Sequence, residues 1–564
     1  MINLYLGKIM KLRKKIIQLC VVLFSLVFIS FTPIIASELE YQEEASELIM
    51  NSLQTQPKKS FLRRLYTQLF FVPVWMHEEN FSHAAKDLFD KIKNDDTLNT
   101  LGKLYKSNLA LESAAIALYA ENATLAQKIE LEFKISQLYY AYTNYAYFGS
   151  INWGAFQARI SNLMVNDVST EWVLHRPNVN PILMLENAAL GARLIKQLDK
   201  AVPTQYRYRA LQKELIKYRE IEANGGWAEV ELKSVLKKGK QAHGVESLRE
   251  RLRVTGDYVT CDETLEDNTY DKCLQKAVKI FQKRNGLKPD GAVGSGTLSV
   301  LNKTVDERIT TILLNLDRIK WLPKRSSRLH IIINIPAFML YFEEKGKLIQ
   351  KIRTVVGKPK NPTPIFSNIV KTIVLNPYWN LPKSIVQKEM IPKLLKNSNA
   401  MAKKGIEIRT GWGPKAKKVK ASSIDWAQYR YSSHVPFRFA QVPGSKNALG
   451  KVKFLFPNKY AVYMHDTPSK SLFNRNKRAF SHGCIRLQKP RELLKTFAKF
   501  NKNINFQKSQ KILKGKDQTY LQLQNRVPID VIYLTAWVDY NGKLQFRNDI
   551  YGYDKMQLRS FRKW

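Results

Sequence analysis

Ser481-His482-Gly483-Cys484-Ile485-Arg486-Leu487 is the stretch on which the reading of this chain turns. Nineteen residues before its cysteine stands a second histidine, in Tyr463-Met464-His465-Asp466-Thr467-Pro468. Cysteine is scarce, four in 564 residues, so one placed inside a Ser-His-Gly run is informative. A thiol becomes a nucleophile near neutral pH when a base or a positive field lies beside it. His465, His482 and Arg486 offer both close to Cys484 in sequence. The plainer alternative is an inert buried cysteine among unrelated histidines. Around these segments the hydrophobic period is short. Ile331-Ile332-Ile333-Asn334-Ile335-Pro336, Phe338-Met339-Leu340-Tyr341-Phe342, 352–356, 369–375 and 451–456 predict strands bounded by Pro, Gly and charged turns. Residues 529–537, then Asn541-Gly542, then 544–546 predict a hairpin with an Asn-Gly turn. Cys484 therefore belongs to a mostly-β sandwich or barrel. A basic, mixed segment at 383–441, helical in character at 386–395, interrupts the strands.

The two motifs together resemble the signature of the L,D-transpeptidase (YkuD-type) catalytic domain. Val356-Gly357-Lys358-Pro359, Asn376-Pro377-Tyr378-Trp379-Asn380-Leu381-Pro382, Pro443-Gly444 and Asn447-Ala448-Leu449-Gly450 extend the likeness. They fit the large Gram-negative subgroup, which carries an N-terminal scaffold region and a peptidoglycan-binding-like module. The resemblance covers nearly all of the chain after its first residues and is most specific from Leu329 to Leu494.

It implies a cysteine acyltransferase of cell-wall peptidoglycan. Cys484 would attack the carbonyl of the third residue of a tetrapeptide stem, release the terminal D-alanine and hold the stem as a thioester, making 3-3 crosslinks. His465 is the implied base, and a protonated His465 would lower the thiol and then protonate the leaving amine. His482 is implied to support the loop. A backbone carbonyl just after the histidine, at Asp466, would orient the ring, with the Asp466 side chain as a second possibility. Backbone N–H groups at His482, Gly483 and Cys484 are the implied oxyanion donors, and Gly483 has no Cβ to obstruct the substrate. The forked guanidinium of Arg486 suits a stem carboxylate or, alternatively, a structural salt bridge. Ser481, Asn447, Tyr463 and Trp379 are the remaining substrate-side candidates. The segment 383–441 would be a lid over the site. No cofactor and no metal are expected. The eight histidines form no H-x-x-x-H or H-E-x-x-H pair, and no glycine-rich phosphate loop is present.

The same thioester resolved by water would give an L,D-carboxypeptidase, and by a protein amine would anchor a protein to the wall. A papain- or sortase-like peptidase fits the His-to-Cys order less well. A non-catalytic basic wall-binding protein is the remaining class. Carbapenem-type inhibitors are expected to acylate the cysteine.

Composition bounds these readings. A chain of 564 residues predicts two to four domains. Hydrophobic residues at 45% and charged residues at 25% are those of a globular protein. Lys+Arg number 91 against 48 Asp+Glu, a net +43, which favours an anionic partner such as the carboxylate-bearing sacculus. No helix-turn-helix, zinc-finger or RNP pattern turns that charge into base readout, so nucleic acid is not expected. Lys8, Lys11, Arg13, Lys14 and Lys15 precede an apolar run over 16–36. That order predicts an export segment at 1–37, either a cleaved signal peptide or an inner-membrane anchor, with the body in the periplasm. Cys261 and Cys273, twelve apart, form a disulfide or two free thiols; Cys484 stays free either way.

The fold class expected is multidomain α+β. Residues 38–240 read as a helical scaffold, with Leu118, Leu125, Ile129, Phe133 and Tyr140 at spacings of seven and four. Residues 245–302 read as a small three-helix module, in which Leu274, Val278 and Phe281 share a face and Asn285-Gly286 ends the helix. Residues 303–328 read as a linker, 329–510 as the catalytic domain and 511–564 as a C-terminal hairpin region.

Overall fold

The computed structural model describes residues 32–561, except 101, 122, 166–167, 174, 176–177, 190–192, 204–206, 259–267, 412–415 and 433. The expected export segment, through residue 31, and Cys261 lie outside the described residues. The chain divides into two units. One comprises the residues up to Tyr147 with Pro177–Val202; the other comprises Phe148–Arg176 and the chain from Pro203 onward.

The first unit is helical. Its helices include Phe61–Gln68, His83–Lys93 and Lys103–Ala120. Ser60 and Ser82 cap the first two by accepting the N–H of Arg63 and Ala85. A wholly buried carboxylate organises the interior. Glu132 accepts hydrogen bonds from the N–H groups of Val74 (2.6 Å), Trp75 (2.9 Å) and Met76 (2.9 Å) and from Tyr66 Oη (2.7 Å). Those four donors offset the cost of burying the group.

The second unit holds the β structure. Its strands are β1 Met164–Val165, β2 Val168–Ser169, β3 Leu329–Asn334, β4 Met339–Glu344, β5 Lys347–Gly357, β6 Phe366–Leu375, β7 Trp379–Asn380, β8 Ile406–Arg409, β9 Lys418–Val419, β10 Arg438–Gln441, β11 Val452–Leu455, β12 Met464–His465, β13 Ala479–Ser481, β14 Ile485–Leu487, β15 Thr519–Ile532, β16 Ala536–Val538 and β17 Leu544–Phe546. Nine of them form one sheet in the order β13-β5-β14-β12-β11-β6-β15-β3-β4, and β4 also pairs with β5, which closes the sheet on itself. Closure removes the exposed edges that an open sheet would present. Lys345 and Gly346, both at positive φ, make the tight turn between β4 and β5.

Three expected boundaries change. Residues 303–328 are not a linker: Val305–Lys320 is a helix whose Thr304 and Glu307 form a capping box. Trp321, at its end, is buried in the β core. Residues 148–176 leave the helical scaffold and join the β unit. Ile151, Phe156, Ile160 and Trp172 enter its core, and the Trp172 and Trp321 rings pack edge to face at 5.2 Å. The boundary at 510 divides one sheet, because β15 pairs with both β6 and β3. The Asn-Gly hairpin is present and smaller than expected, β16 pairing with β17.

The small module has the three expected helices, Val245–Val254, Lys272–Arg284 and Ser295–Leu301, around their own apolar core. Asn285 caps the second and Gly286 follows at φ +71°. Cys273 is disulfide-bonded, and Cys484 is free.

Parallel pairing of β3 with β15 brings His330 beside Asp530, with Nε2 2.6 Å from the carboxylate; Arg325 reaches the other oxygen at 2.6 Å. Burial pushes Asp530 up, but these two partners outweigh it and hold the carboxyl at about 2. Burial pulls His330 down, and Asp530 and Glu343 outweigh that to raise it. The Asp530 contribution is therefore present above its unfolded value of ~4 and lost as pH falls through about 2. The His330 contribution is full below ~6.5 and lost as pH rises through its raised folded value. Asp530→Asn is expected to cost about 3 kcal/mol near pH 5, and progressively less toward pH 2, in urea melts. A difference that does not vary with pH contradicts the ion-cluster account.

Candidate active site

The site is built on two neighbouring parallel strands. In the pairing of β12 with β14, Met464 lies opposite Ile485 and His465 opposite Arg486. The Ile485 N–H donates to the Tyr463 carbonyl at 3.0 Å, which sets Cys484 beside Tyr463. On the other flank β11 places Lys453 opposite His465. Strand pairing thus gathers Cys484, His465, Arg486, Tyr463 and Lys453 at the same ends of three strands.

Cys484 is partly exposed, and its sulfur faces the Ala461 carbonyl at 3.9 Å. Ala461 holds φ at +51°, an uncommon conformation for a residue with a Cβ. Burial pushes the Cys484 thiol up, while Tyr463, Lys453 and Arg486 pull it down. His465 is buried, and its Nδ1 lies 2.5 Å from the Asp466 carbonyl. A carbonyl only accepts, so Nδ1 carries the proton and Nε2 the lone pair. Burial, then the charges of Arg486, Lys453 and Lys470, push His465 down to about 3. The resting site therefore holds a neutral imidazole and a neutral thiol, not the imidazolium expected beside the sulfur. Charge enters only as the thiol is deprotonated, and Lys453 and Arg486 supply the positive field that favours it.

Gly483 shapes the loop before Cys484 with φ +112°. The Ser481 hydroxyl donates to the Cys484 carbonyl at 2.6 Å and accepts the Gly483 N–H at 3.1 Å. Thr363 Oγ1 donates to the Gly483 carbonyl at 2.8 Å and accepts the Gly357 N–H. The loop is thus braced on both sides. The Gly483 N–H is occupied by the Ser481 hydroxyl and so is not free to serve as an oxyanion donor.

The 383–441 segment supplies three strands of a separate four-stranded sheet, β7-β10-β8-β9, completed by β7 just before it, with a core that includes Ile391, Met401 and Trp426. Its Glu389 lies 3.1 Å from His482 Nε2, and Lys358 Nζ is 3.4 Å from the same nitrogen. His482 is engaged with the insertion and so supports the loop.

Residues 328–504 match the family model of the L,D-transpeptidase catalytic domain. Over this span the chain is similar to that catalytic domain. Residues 60–215 match a scaffold domain, and 241–301 match a "Putative peptidoglycan binding domain". A Haemophilus influenzae protein named "Putative L,D-transpeptidase" is 32% identical over 244 residues, 43% of this chain and 48% of that one. The chain thus spans about half the length of the relative it matches. Among solved structures, the L,D-transpeptidase of Stackebrandtia nassauensis is 15% identical, with coverage of 54% of this chain and 96% of that chain, at a TM-score of 0.21. L,D-transpeptidase 3 of Mycobacterium tuberculosis, solved with a faropenem-derived adduct, is 11% identical over 36% and 60%, at 0.17. Scores that low add nothing to the fold described above.

Within this span two expected substrate contacts prove to be braces. Asn447 is buried, and its amide donates to the carbonyls of Pro377 (3.0 Å), Gln441 (3.2 Å) and Val442 (3.0 Å), so it does not line a groove. Ser481 is buried and engaged as described, so its hydroxyl is not offered to substrate. Arg486 does stand at the site, and its buried Nε has no hydrogen-bond partner among the described residues. No acidic residue pairs with Arg486 among the described ion pairs, which disfavours the salt-bridge alternative. Trp379 and Tyr463 are both partly exposed there. Lys453 was not among the residues singled out from sequence; its ammonium lies over the Tyr463 ring at 3.7 Å. The Asp466 side chain holds the segment rather than the imidazole, accepting the N–H of Lys451 (2.9 Å) and Thr467 (2.7 Å) and pairing with Lys470.

That carboxylate packs against Gly450, at φ +61°, where a Cβ would lie 2.4 Å from the Asp466 Cγ. Gly450→Ala is expected to displace Asp466 and with it the carbonyl that orients His465. The expected result is a fall in kcat of about tenfold or more with the protein still folded, since small misplacements of catalytic groups are costly. Unchanged kcat would show that Asp466 does not position the histidine.

Proposed function

We propose that this chain is an exported peptidoglycan L,D-transpeptidase acting through a Cys484 thioester, held in the periplasm as a soluble protein or by its N-terminal segment. The observation that carries the reading is the placement of His465, its Nδ1–H fixed on the Asp466 carbonyl, on the strand beside Cys484, with Lys453 and Arg486 opposite it on the flanking strands. His465 Nε2 takes the thiol proton as the sulfur attacks the carbonyl of the third stem residue. The oxyanion forms at the His482 and Cys484 N–H groups. Nε2–H then passes its proton to the departing D-alanine amine, and the thioester remains. An acceptor amine attacks, His465 takes its proton, and the amide forms as the thiolate leaves and is reprotonated. Arg486 is unpaired and close enough to the sulfur to feel its charge, which suits a carboxylate of the stem. The basic start and apolar run at 16–36 support export.

The test is incubation of the protein with disaccharide-tetrapeptide monomers, followed by mass spectrometry of the products. A dimer lighter by one D-alanine is the expected product. Tripeptide alone would make water the acceptor and the protein a carboxypeptidase. Formation of neither dimer nor tripeptide would sink the reading.

A further inference from the structure

Within the β unit there is a second cleft of about 760 Å³, lined by none of the Cys484-site residues. The end of the Lys272–Arg284 helix forms one wall, and β5, the 476–478 loop and Arg547 form the other. Arg547 ties the walls together. Its guanidinium donates to the Arg284 carbonyl at 2.7 Å, and Gly286 leaves room for it, since a Cβ there would lie 2.5 Å from Arg547 Cδ.

The cleft is strongly one-signed. Lys283, Lys351, Arg353, Lys477, Arg478 and Arg547 all line it, and none has an acidic partner among the described ion pairs. Arg478 and Arg547 instead donate to backbone carbonyls, those of Thr354 and Phe338 and those of Arg284 and Phe546. The two acids that line the cleft are already engaged. Asp549 accepts Tyr533 Oη and the N–H groups of Tyr553 and Asp554, and Asp539 accepts Gln545 Nε2 and the N–H groups of Asn541 and Lys543. Burial, then Arg353 and Arg547, hold Arg478 down to about 10, as expected where cations crowd without a counter-charge. Lys351, Arg478 and Arg547 also lie over the Tyr341, Phe338 and Trp537 rings, and Asp539 lies in the field of Lys351 and Arg547; these contacts hold the side chains but leave a six-to-two excess of positive charge along the cleft, whose repulsion a bound polyanion relieves.

The cleft is also tied to the catalytic strand. Gln488 lines it and donates its N–H to the Arg353 carbonyl at 3.0 Å. Four residues of extended chain separate Gln488 from Cys484, roughly 13 Å at the rise of a strand. A polymer bound in the cleft therefore lies within reach of the sulfur.

We propose that this cleft is a second binding site, which holds a carboxylate-bearing glycan-peptide strand while one of its stems occupies the Cys484 site. The ligand class rests on the proposed function and on the wall contributed by the module at 241–301. The shared wall gives that module a role as one side of a strand clamp.

Lys283, Lys351 and Lys477 are exposed and come from three separate elements. The triple variant Lys283→Glu, Lys351→Glu, Lys477→Glu is compared with the parent, both also carrying Cys484→Ala when binding is measured. The probe is soluble, uncrosslinked glycan strand bearing tetrapeptide stems, at ~0.15 M salt. Strand affinity is expected to fall about tenfold or more in the triple variant. Strand with amidated carboxyls should bind the parent as weakly as native strand binds the variant. With Cys484 restored, turnover of disaccharide-tetrapeptide monomer should stay within about twofold. Unchanged strand affinity in the variant, or equal binding of native and amidated strand, overturns the proposal. So does a loss confined to long-chain inorganic polyphosphate, which would make the cleft a phosphate-polymer site. A fall in monomer turnover at unchanged melting temperature would place these lysines in the active site and overturn it too. Monomer turnover by the parent reports separately on the proposed activity, so the two readings fail by different measurements.

Discussion

Cys484→Ala protein is expected to melt within a few degrees of the parent and to form neither crosslinked dimer nor trimmed monomer. The loss should be about 10⁴–10⁶-fold, the scale seen when a covalent nucleophile is removed. The fold should survive because Cys484 is partly exposed and its loop is braced without the sulfur, through Ser481, Thr363 and Gly357. Cys484→Ser should lose nearly as much, because Lys453 and Arg486 cannot make a hydroxyl as acidic as a thiol. Product analysis and a thermal melt on the same samples check both claims. Appreciable turnover by the alanine variant would remove covalent catalysis from the account.

Replacement of His465 is expected to have the next largest effect, a fall in kcat of about 10²–10⁴ for a lost acid–base group. His482→Ala should cost much less, because His482 meets Glu389 and Lys358 rather than the sulfur. The reverse ranking, with both variants folded, would transfer the base role to His482. A stability signature accompanies the kinetic one. His465 is held at about 3 in the folded protein, whereas the unfolded chain takes up the proton near ~6.5. Between those values the unfolded state binds more protons, so this group's contribution is full above ~6.5 and drains as pH falls toward 3. His465→Gln should therefore flatten the pH dependence of denaturant stability between about pH 4 and 6.5. A parallel profile in parent and variant would contradict the neutral, buried assignment.

The candidate pair Cys484 and His465 was legible because its surroundings are set by local sequence. Cys484 sits in a run whose every residue has a backbone or side-chain task, and the His465 ring takes its orientation from the next residue's carbonyl. The strands were legible where β-branched and aromatic residues run between Pro, Gly and charged turns, as at Leu329–Asn334. Lys453 was not legible. A lone lysine on a strand reads as solvent-facing, and only the pairing of β11 with β12 brings it over the Tyr463 ring, ten positions away. Asn447 and Ser481 misled because small polar residues near a motif suit ligand contact and backbone bracing equally well; neighbouring carbonyls decide between them. The helix Val305–Lys320 carried a readable signal, Ile309, Ile312, Leu316 and Ile319 at helical spacing after Thr304 and Glu307, and its place between two expected domains suggested a connector instead. The entry of 148–176 into the β core depends on contacts far apart in sequence, such as Trp172 with Trp321, which no local pattern encodes.

The central claim is that Cys484 is the acyl-accepting nucleophile, and intact-mass analysis after exposure to a carbapenem tests it most directly. The strained amide of the drug takes the place of the stem carbonyl and leaves a covalent adduct on the attacking sulfur. One adduct per chain is predicted, mapped by peptide digestion to the Cys484 segment and absent from Cys484→Ala. No adduct on the parent, or an adduct that persists in Cys484→Ala, would contradict the account.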